Sequence, residues 1–113
     1  MKDSLGEQMR LAHMMEAIAY IKEFTAGKTE SDMYNEAMLR FAVIKQLEII
    51  GEAGNHISQQ TKDSLVDVEW RKIRSFRNIS VHEYFGVDPS IIWRIVQQDI
   101  PVLEKALIEY NNK

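Results

Sequence analysis

Apolar residues recur at helical spacing along most of the chain. Leu11, Met14, Ile18, Ile21 and Thr25 follow alternating steps of three and four, and the first four define one stripe of a helix from about Leu5 to Thr25. Ala26-Gly27 ends it, with Gly27 where a helix terminus calls for a left-handed residue. Thr29 or Ser31 is placed to cap a second helix, about Asp32 to Ser58. In that helix Met33, Ala37, Phe41, Ile44, Leu47, Gly51 and Gly54 keep helical spacing. Each of the two glycines costs about 1 kcal/mol against alanine, so the pair predicts either a close helix–helix approach or a local bend.

Gln59 to Val66 reads as a connection with one short turn. Asp67 is the expected cap of a third helix, about Val68 to Val81, with Trp70, Ile73 and Phe76 as its apolar contacts and Phe85-Gly86-Val87 as its break. Asp88-Pro89 restarts the chain as N-cap and first helical residue of a fourth helix to about Tyr110. Its inner face is Ile92, Ile95 or Val96, Val102, Leu103 and Leu107. Pro101 lies inside it and removes a donor, which predicts a kink near Gln97–Gln98. Four helices with short connections predict an all-α, antiparallel four-helix bundle with an additional short helix, residues 1–113 forming one domain.

Composition narrows the class. With 5 glycines and 2 prolines in 113 residues, the chain lacks the turn residues a β-sandwich of this length needs. The absence of cysteine excludes a disulfide scaffold, a zinc ribbon and a thiol nucleophile. A net charge of −3 argues against a globally basic, duplex-binding surface. No apolar run approaches the roughly 18 residues of a membrane span. Met1 to Glu7 is polar and acidic and does not read as a signal peptide, so a soluble, cytoplasmic protein is expected, with no membrane contact.

Three motifs invite chemistry. Gly27-Lys28-Thr29 has the ending of a phosphate-binding loop, but position 22 is Lys where that loop needs Gly, and a helix rather than a strand precedes it. Glu48, Glu52 and His56 fall at successive i+4 positions and share a helix face. Bundle metal sites draw on Glu-x-x-His sets from paired helices, and no second set exists, so this face reads as solvated or as an interface, with no metal. The third motif is Arg71 to His82, which holds four cations and no acid. Since the whole chain carries −3 and this segment +4, the remainder carries −7. On a continuous helix Arg74, Asn78 and His82 form one polar row, while Arg77 and His82 stand about 140° apart. Convergence on one phosphate then requires long reach, a distorted helix end or a second subunit.

Histidine titrates near neutrality and moves protons, and arginine binds phosphate and developing charge through a fork of donors. Asparagine can orient the histidine or bond a phosphate oxygen. With no adjacent carboxylate cluster for magnesium, the set suits metal-independent cleavage of a phosphodiester that carries its own nucleophile, as RNA does in its 2′-hydroxyl. The competing reading is a basic solvated helix face with a capping histidine.

Arg77-Asn78-Ile79-Ser80-Val81-His82-Glu83-Tyr84 resembles the Arg-x4-His-x-Tyr motif of HepT-like proteins in the HEPN superfamily. Gly51-Glu52-Ala53, Trp70, the run Tyr84 to Asp88, Trp93 and Asp99-Ile100-Pro101-Val102-Leu103 extend the resemblance over nearly the whole chain. It implies a helical bundle that forms a homodimer, and a metal-independent endoribonuclease that is the toxin of a two-gene system. Arg77 and His82 are implied as the catalytic pair, and Arg74 and Asn78 as RNA and phosphate contacts. The implied partner is a minimal nucleotidyltransferase of the MNT type, an antitoxin that transfers AMP to the motif tyrosine, here Tyr84. No cofactor is implied. A non-catalytic helical partner or nucleotide-binding subunit of such a nucleotidyltransferase is the alternative.

Overall fold

Helix α1 (Ser4–Thr25) forms as its stripe predicts: Leu11, Met14, Ile18 and Ile21 are all buried, joined by Ala17. The structure is a computed structural model and describes residues 4–79 and 88–112. Gly27 follows α1 at φ 73°, the one positive φ among the described residues. Thr29 then caps α2 (Glu30–Asn35) in a reciprocal box. Its hydroxyl accepts from the Asp32 N–H at 3.2 Å, and Asp32 Oδ2 accepts from the Thr29 N–H at 2.9 Å.

The expected second helix is two helices. Glu36 is extended, at φ −112° and ψ 99°, and α3 (Ala37–Gly54) begins after it. The break strands carbonyls at the end of α2, and Arg40 satisfies two of them. Its Nη1 donates to Met33 O at 3.0 Å and to Tyr34 O at 2.6 Å. Lys28 Nζ holds the Glu36 carboxylate at 3.0 Å. The break also changes which residues face inward. Ala37 and Phe41, expected inside, are exposed, Phe41 by 42%, while Leu39, Val43, Ile44, Leu47 and Ile50 are buried.

Helices α1 and α3 run antiparallel. Near the start of α1, Glu7 accepts from the Ser58 N–H and the Thr61 hydroxyl, both at 2.6 Å, just past the end of α3. Those two donors belong to α4 (Gln59–Ser64) and its N-cap Ser58, a full helical segment where the pattern predicts a connection with one turn. Asp67 does not cap the next helix. Val68 is buried in the connection instead, and α5 (Trp70–Ser75) starts from Glu69. The α-helix also stops well short of Val81: residues Phe76–Asn78 tighten into a 3₁₀ turn that closes at Ile79.

Asp88-Pro89 opens α6 (Pro89–Arg94) as expected, with Asp88 Oδ1 accepting from the Ser90 N–H at 2.9 Å. Tyr34 donates to the same oxygen at 3.1 Å, which ties α2 to α6. The irregularity that Pro101 predicts takes the form of a π-turn over Ile95–Asp99, where the Ile100 N–H reaches back five residues to Ile95 O. The chain continues as α7 (Ile100–Asn111). The extra residue in the turn lets Ile95 and Val96 both face inward and rotates the rest, so Val102, expected inside, is 47% exposed. Lys22 of α1 pairs with Glu104 of α7 at 3.0 Å, and Lys72 of α5 with Asp99 at 3.3 Å.

The result is an all-helical bundle of α1, α3, α5 with its 3₁₀ extension, and α6–α7, with α2 and α4 as short additional helices. Phe76, Met14, Leu47, Ile92 and Leu103 lie at the centre of its core. Among the described residues no helix is long and apolar enough to cross a membrane.

Candidate functional site

The site begins with the two glycines of α3. A Cβ on Gly51 would stand 2.5 Å from the Arg77 backbone N and 3.1 Å from both Arg77 Cβ and Ile73 O. A Cβ on Gly54 would stand 3.1 Å from Ile73 Cγ2. Close approach, rather than a bend, is therefore what the glycines serve. The 3₁₀ turn rests directly on α3, and the buried side chains of Ile73 and Phe76 hold it there. Arg77 has its backbone pinned and its side chain free to project.

That side chain is 43% exposed and enters an open groove of about 470 Å³ lined by Lys45, Glu48, Ile49, Glu52, Arg77 and Asn78. Arg77 Nη1 lies 3.6 Å from Glu52 Oε1, and the other Glu52 oxygen lies 3.2 Å from His56 Nε2. Lys45 stands 3.5 Å from Glu48. Among the described residues, two cations and two carboxylates thus line the groove, and their formal charges balance. The carboxylates at 48 and 52 serve as ion-pair partners there, and no group of three or more acidic or histidine side chains suited to a metal occurs among the described residues.

The structure brings Arg77 and Asn78 together in the groove and leaves Arg74 out of it. Arg74 lies toward Lys62, whose ammonium sits over the Trp70 ring at 5.7 Å and is held below the usual lysine range by burial and then by the Arg74 charge. Lys72 is committed to Asp99. Lys72 and Arg74 therefore meet neighbours away from the groove that Arg77 enters. The expected row Arg74–Asn78–His82 and the 140° between Arg77 and His82 both assume a helix that, in the described residues, ends at Asn78. His82 and Tyr84 lie outside the described residues. Sequence reasoning missed Glu52 as the partner of Arg77. The available signal was its position beside Gly51, which puts a long carboxylate side chain within reach of a residue that approaches that glycine.

The family model described as Ribonuclease HepT-like matches residues 14–110. The chain belongs to this HepT-like family. A protein of Thermococcus cleftensis named "Probable ribonuclease HepT" is 39% identical over 83% of this chain and 86% of its own length. The Methanocaldococcus jannaschii protein named "Putative RNase MJ1380" is 37% identical over 86% of this chain and 89% of its own. A second protein of that organism, named "Gamma-glutamylcyclotransferase and putative RNase MJ0434", is 35% identical over 88% of this chain. There the HepT-like chain spans only 45% of the relative's length. No solved structure gives a significant match. The matched span takes in the whole α3–α5 contact and the groove beside it.

Proposed function

We propose that this chain is a HEPN-type endoribonuclease that cleaves RNA without a metal, with Arg77 and His82 as its catalytic pair. The observation that carries the reading is the placement of Arg77: its backbone is pinned on Gly51 and its guanidinium opens into a groove wide enough for a nucleotide. The family match and relatives named as ribonucleases support the class of reaction. In this mechanism the ribose 2′-hydroxyl attacks the neighbouring phosphorus and His82 takes its proton. Arg77 binds the phosphorane oxygens as their charge grows. The 5′-oxygen of the next nucleotide leaves with a proton from solvent, and a cyclic phosphate remains. Asn78 bonds a phosphate oxygen beside Arg77, and Arg74 meets the RNA backbone outside the groove.

The resemblance extends the proposal to biology. The chain is the toxin of a toxin–antitoxin pair, works as a homodimer, and is silenced when an MNT-type nucleotidyltransferase attaches AMP to Tyr84. One AMP adds a phosphodiester anion at the seventh residue after Arg77, where it would compete with the RNA phosphate for the cations. The ion pair between Arg77 and Glu52 favours a second reading, in which the chain is a non-catalytic partner or nucleotide-binding subunit of that nucleotidyltransferase.

Incubation of the purified protein with RNA in EDTA separates the two. Cleavage is expected, and Arg77→Ala or His82→Ala should each lower it by about 10²–10⁴-fold with the helical spectrum intact. Full activity in His82→Ala overturns the mechanism, and no cleavage by the wild type leaves the partner reading. A light-scattering mass near 13 kDa would reject the dimer. Tyr84→Phe should keep cleavage and escape silencing, and mass spectrometry of the co-expressed pair should find AMP on Tyr84 alone.

A further inference from the structure

We propose that Glu52 is a positioning residue for Arg77: its carboxylate, held through its other oxygen by His56, aims the guanidinium into the groove. The inference rests on the ribonuclease reading above. Gly51 fixes where the Arg77 backbone lies, but the side chain beyond it is long and flexible, and a stabilising charge must sit where the phosphorane forms. Among the described residues, Glu52 is the partner that the Arg77 side chain finds, at 3.6 Å from Nη1. Positions 51 and 52 are consecutive on α3, so one helical turn sets both the backbone and the side chain of Arg77.

The form of the contact decides between aiming and blocking. A carboxylate that competes with phosphate for an arginine closes on the donor fork in a bidentate pair, at about 2.7–2.9 Å. Here the contact is 3.6 Å, longer than a hydrogen bond, so the carboxylate is not closed on the donor fork. The second Glu52 oxygen is engaged by His56 Nε2 at 3.2 Å, so the two neighbours meet different oxygens of the carboxylate. All three side chains are about half exposed, at 43%, 55% and 45% for Arg77, Glu52 and His56. Ion pairs this open add little to stability, so the arrangement is to be judged by what it does to Arg77 rather than by what it adds to the fold.

The test compares Glu52→Gln, Glu52→Asp and His56→Gln in the full chain with the wild type. Cleavage kinetics are read beside the NMR order of the Arg77 Nε–H in protein labelled with ¹⁵N-arginine. Glu52→Gln should lower kcat about tenfold, within the roughly 10²-fold that a 1 Å misplacement can cost, with KM changed less than about twofold. The Arg77 signal should lose order in the same variant. Glu52→Asp should recover part of both readouts, and His56→Gln should show a smaller loss of both. Unchanged kcat and unchanged order overturn the proposal. So does a lower KM with a raised kcat/KM in Glu52→Gln, which would make the carboxylate a competitor of phosphate. If the wild type cleaves no RNA, the ribonuclease reading fails by itself, and the NMR order alone then decides whether Glu52 holds Arg77.

Discussion

Replacing Gly51 with alanine adds one methyl group at the point where the 3₁₀ turn lies on α3. That carbon would sit 2.5 Å from the Arg77 backbone N, whereas ordinary contact begins at 3.4 Å, so the turn must retreat by roughly 0.9 Å. Retreat is difficult because Ile73 and Phe76, just before Arg77, are buried in the core. Overpacking of this kind costs about 1–3 kcal/mol, and alanine returns about 1 kcal/mol of helix propensity. The net expectation is a loss of about 0–2 kcal/mol, toward the upper end because backbone rather than a flexible side chain is struck, or a Tm lowered by up to about 8 °C for a domain of this size. Because the displaced atoms belong to Arg77, cleavage should fall further than stability does, by up to about 10²-fold. Gly54→Ala is the matched control. Its added methyl meets side-chain atoms only, Ile73 Cγ2 at 3.1 Å, Trp70 Cζ3 at 3.6 Å and Met14 Cε at 3.9 Å, which can move aside by a few tenths of an ångström. Its stability should stay within about 1 kcal/mol of wild type and its activity should be retained. Thermal unfolding by circular dichroism and RNA cleavage at a temperature where both variants are folded measure the two effects. A Gly51→Ala protein as stable and active as wild type, or equal losses of activity in both variants, would refute the reasoning.

Other expectations concern single residues of the frame. Thr29→Ala removes one half of the capping box on α2 and should cost about 1 kcal/mol in denaturant unfolding. Gly27→Ala meets no atom within 4 Å, so its cost is the backbone strain of φ 73° alone, about 1–2 kcal/mol, and activity should be untouched. The Asp88 carboxyl lies below its ordinary value because the Ser90 amide and then the Tyr34 hydroxyl donate to it, against a smaller opposing effect of desolvation. Its folded pKa being depressed, the stability it contributes is present above about pH 4 and is lost as pH falls through the folded value. Asp88→Asn keeps a capping oxygen without the charge, so its acid-unfolding profile below about pH 4 should be flatter than that of the wild type.

Features encoded by a few neighbouring residues were legible without a structure. The α1 stripe, the left-handed Gly27, the Thr29 cap and the Asp88-Pro89 start each depend on contacts within one or two turns of chain. The all-helical class followed from the same periodicity and from the scarcity of turn residues. Gly51 and Gly54 marked either a close approach or a bend, which the structure decided, and the Arg77 to Tyr84 motif pointed to the family, because both are statements about residue type at fixed spacing.

Other features were settled by groups distant in sequence or by competition within the core. The break at Glu36 holds because Arg40 reaches back to two carbonyls and Lys28 to the carboxylate; neither choice leaves a mark on hydrophobic periodicity. The π-turn and the late start of α5 are adjustments that bury Ile95, Val96 and Val68 at the expense of ideal geometry, and they moved Val102 outward. The candidate site changed most. Along the sequence the segment reads as a basic patch with Arg74, Asn78 and His82 in one row, but the tightening to a 3₁₀ turn and the contacts with Asp99 and Glu52 commit Lys72 and Arg77 to different partners. Periodicity records which side of a helix is apolar. Which carboxylate an arginine will meet depends on how two helices lie against each other, and that is decided only when the core closes.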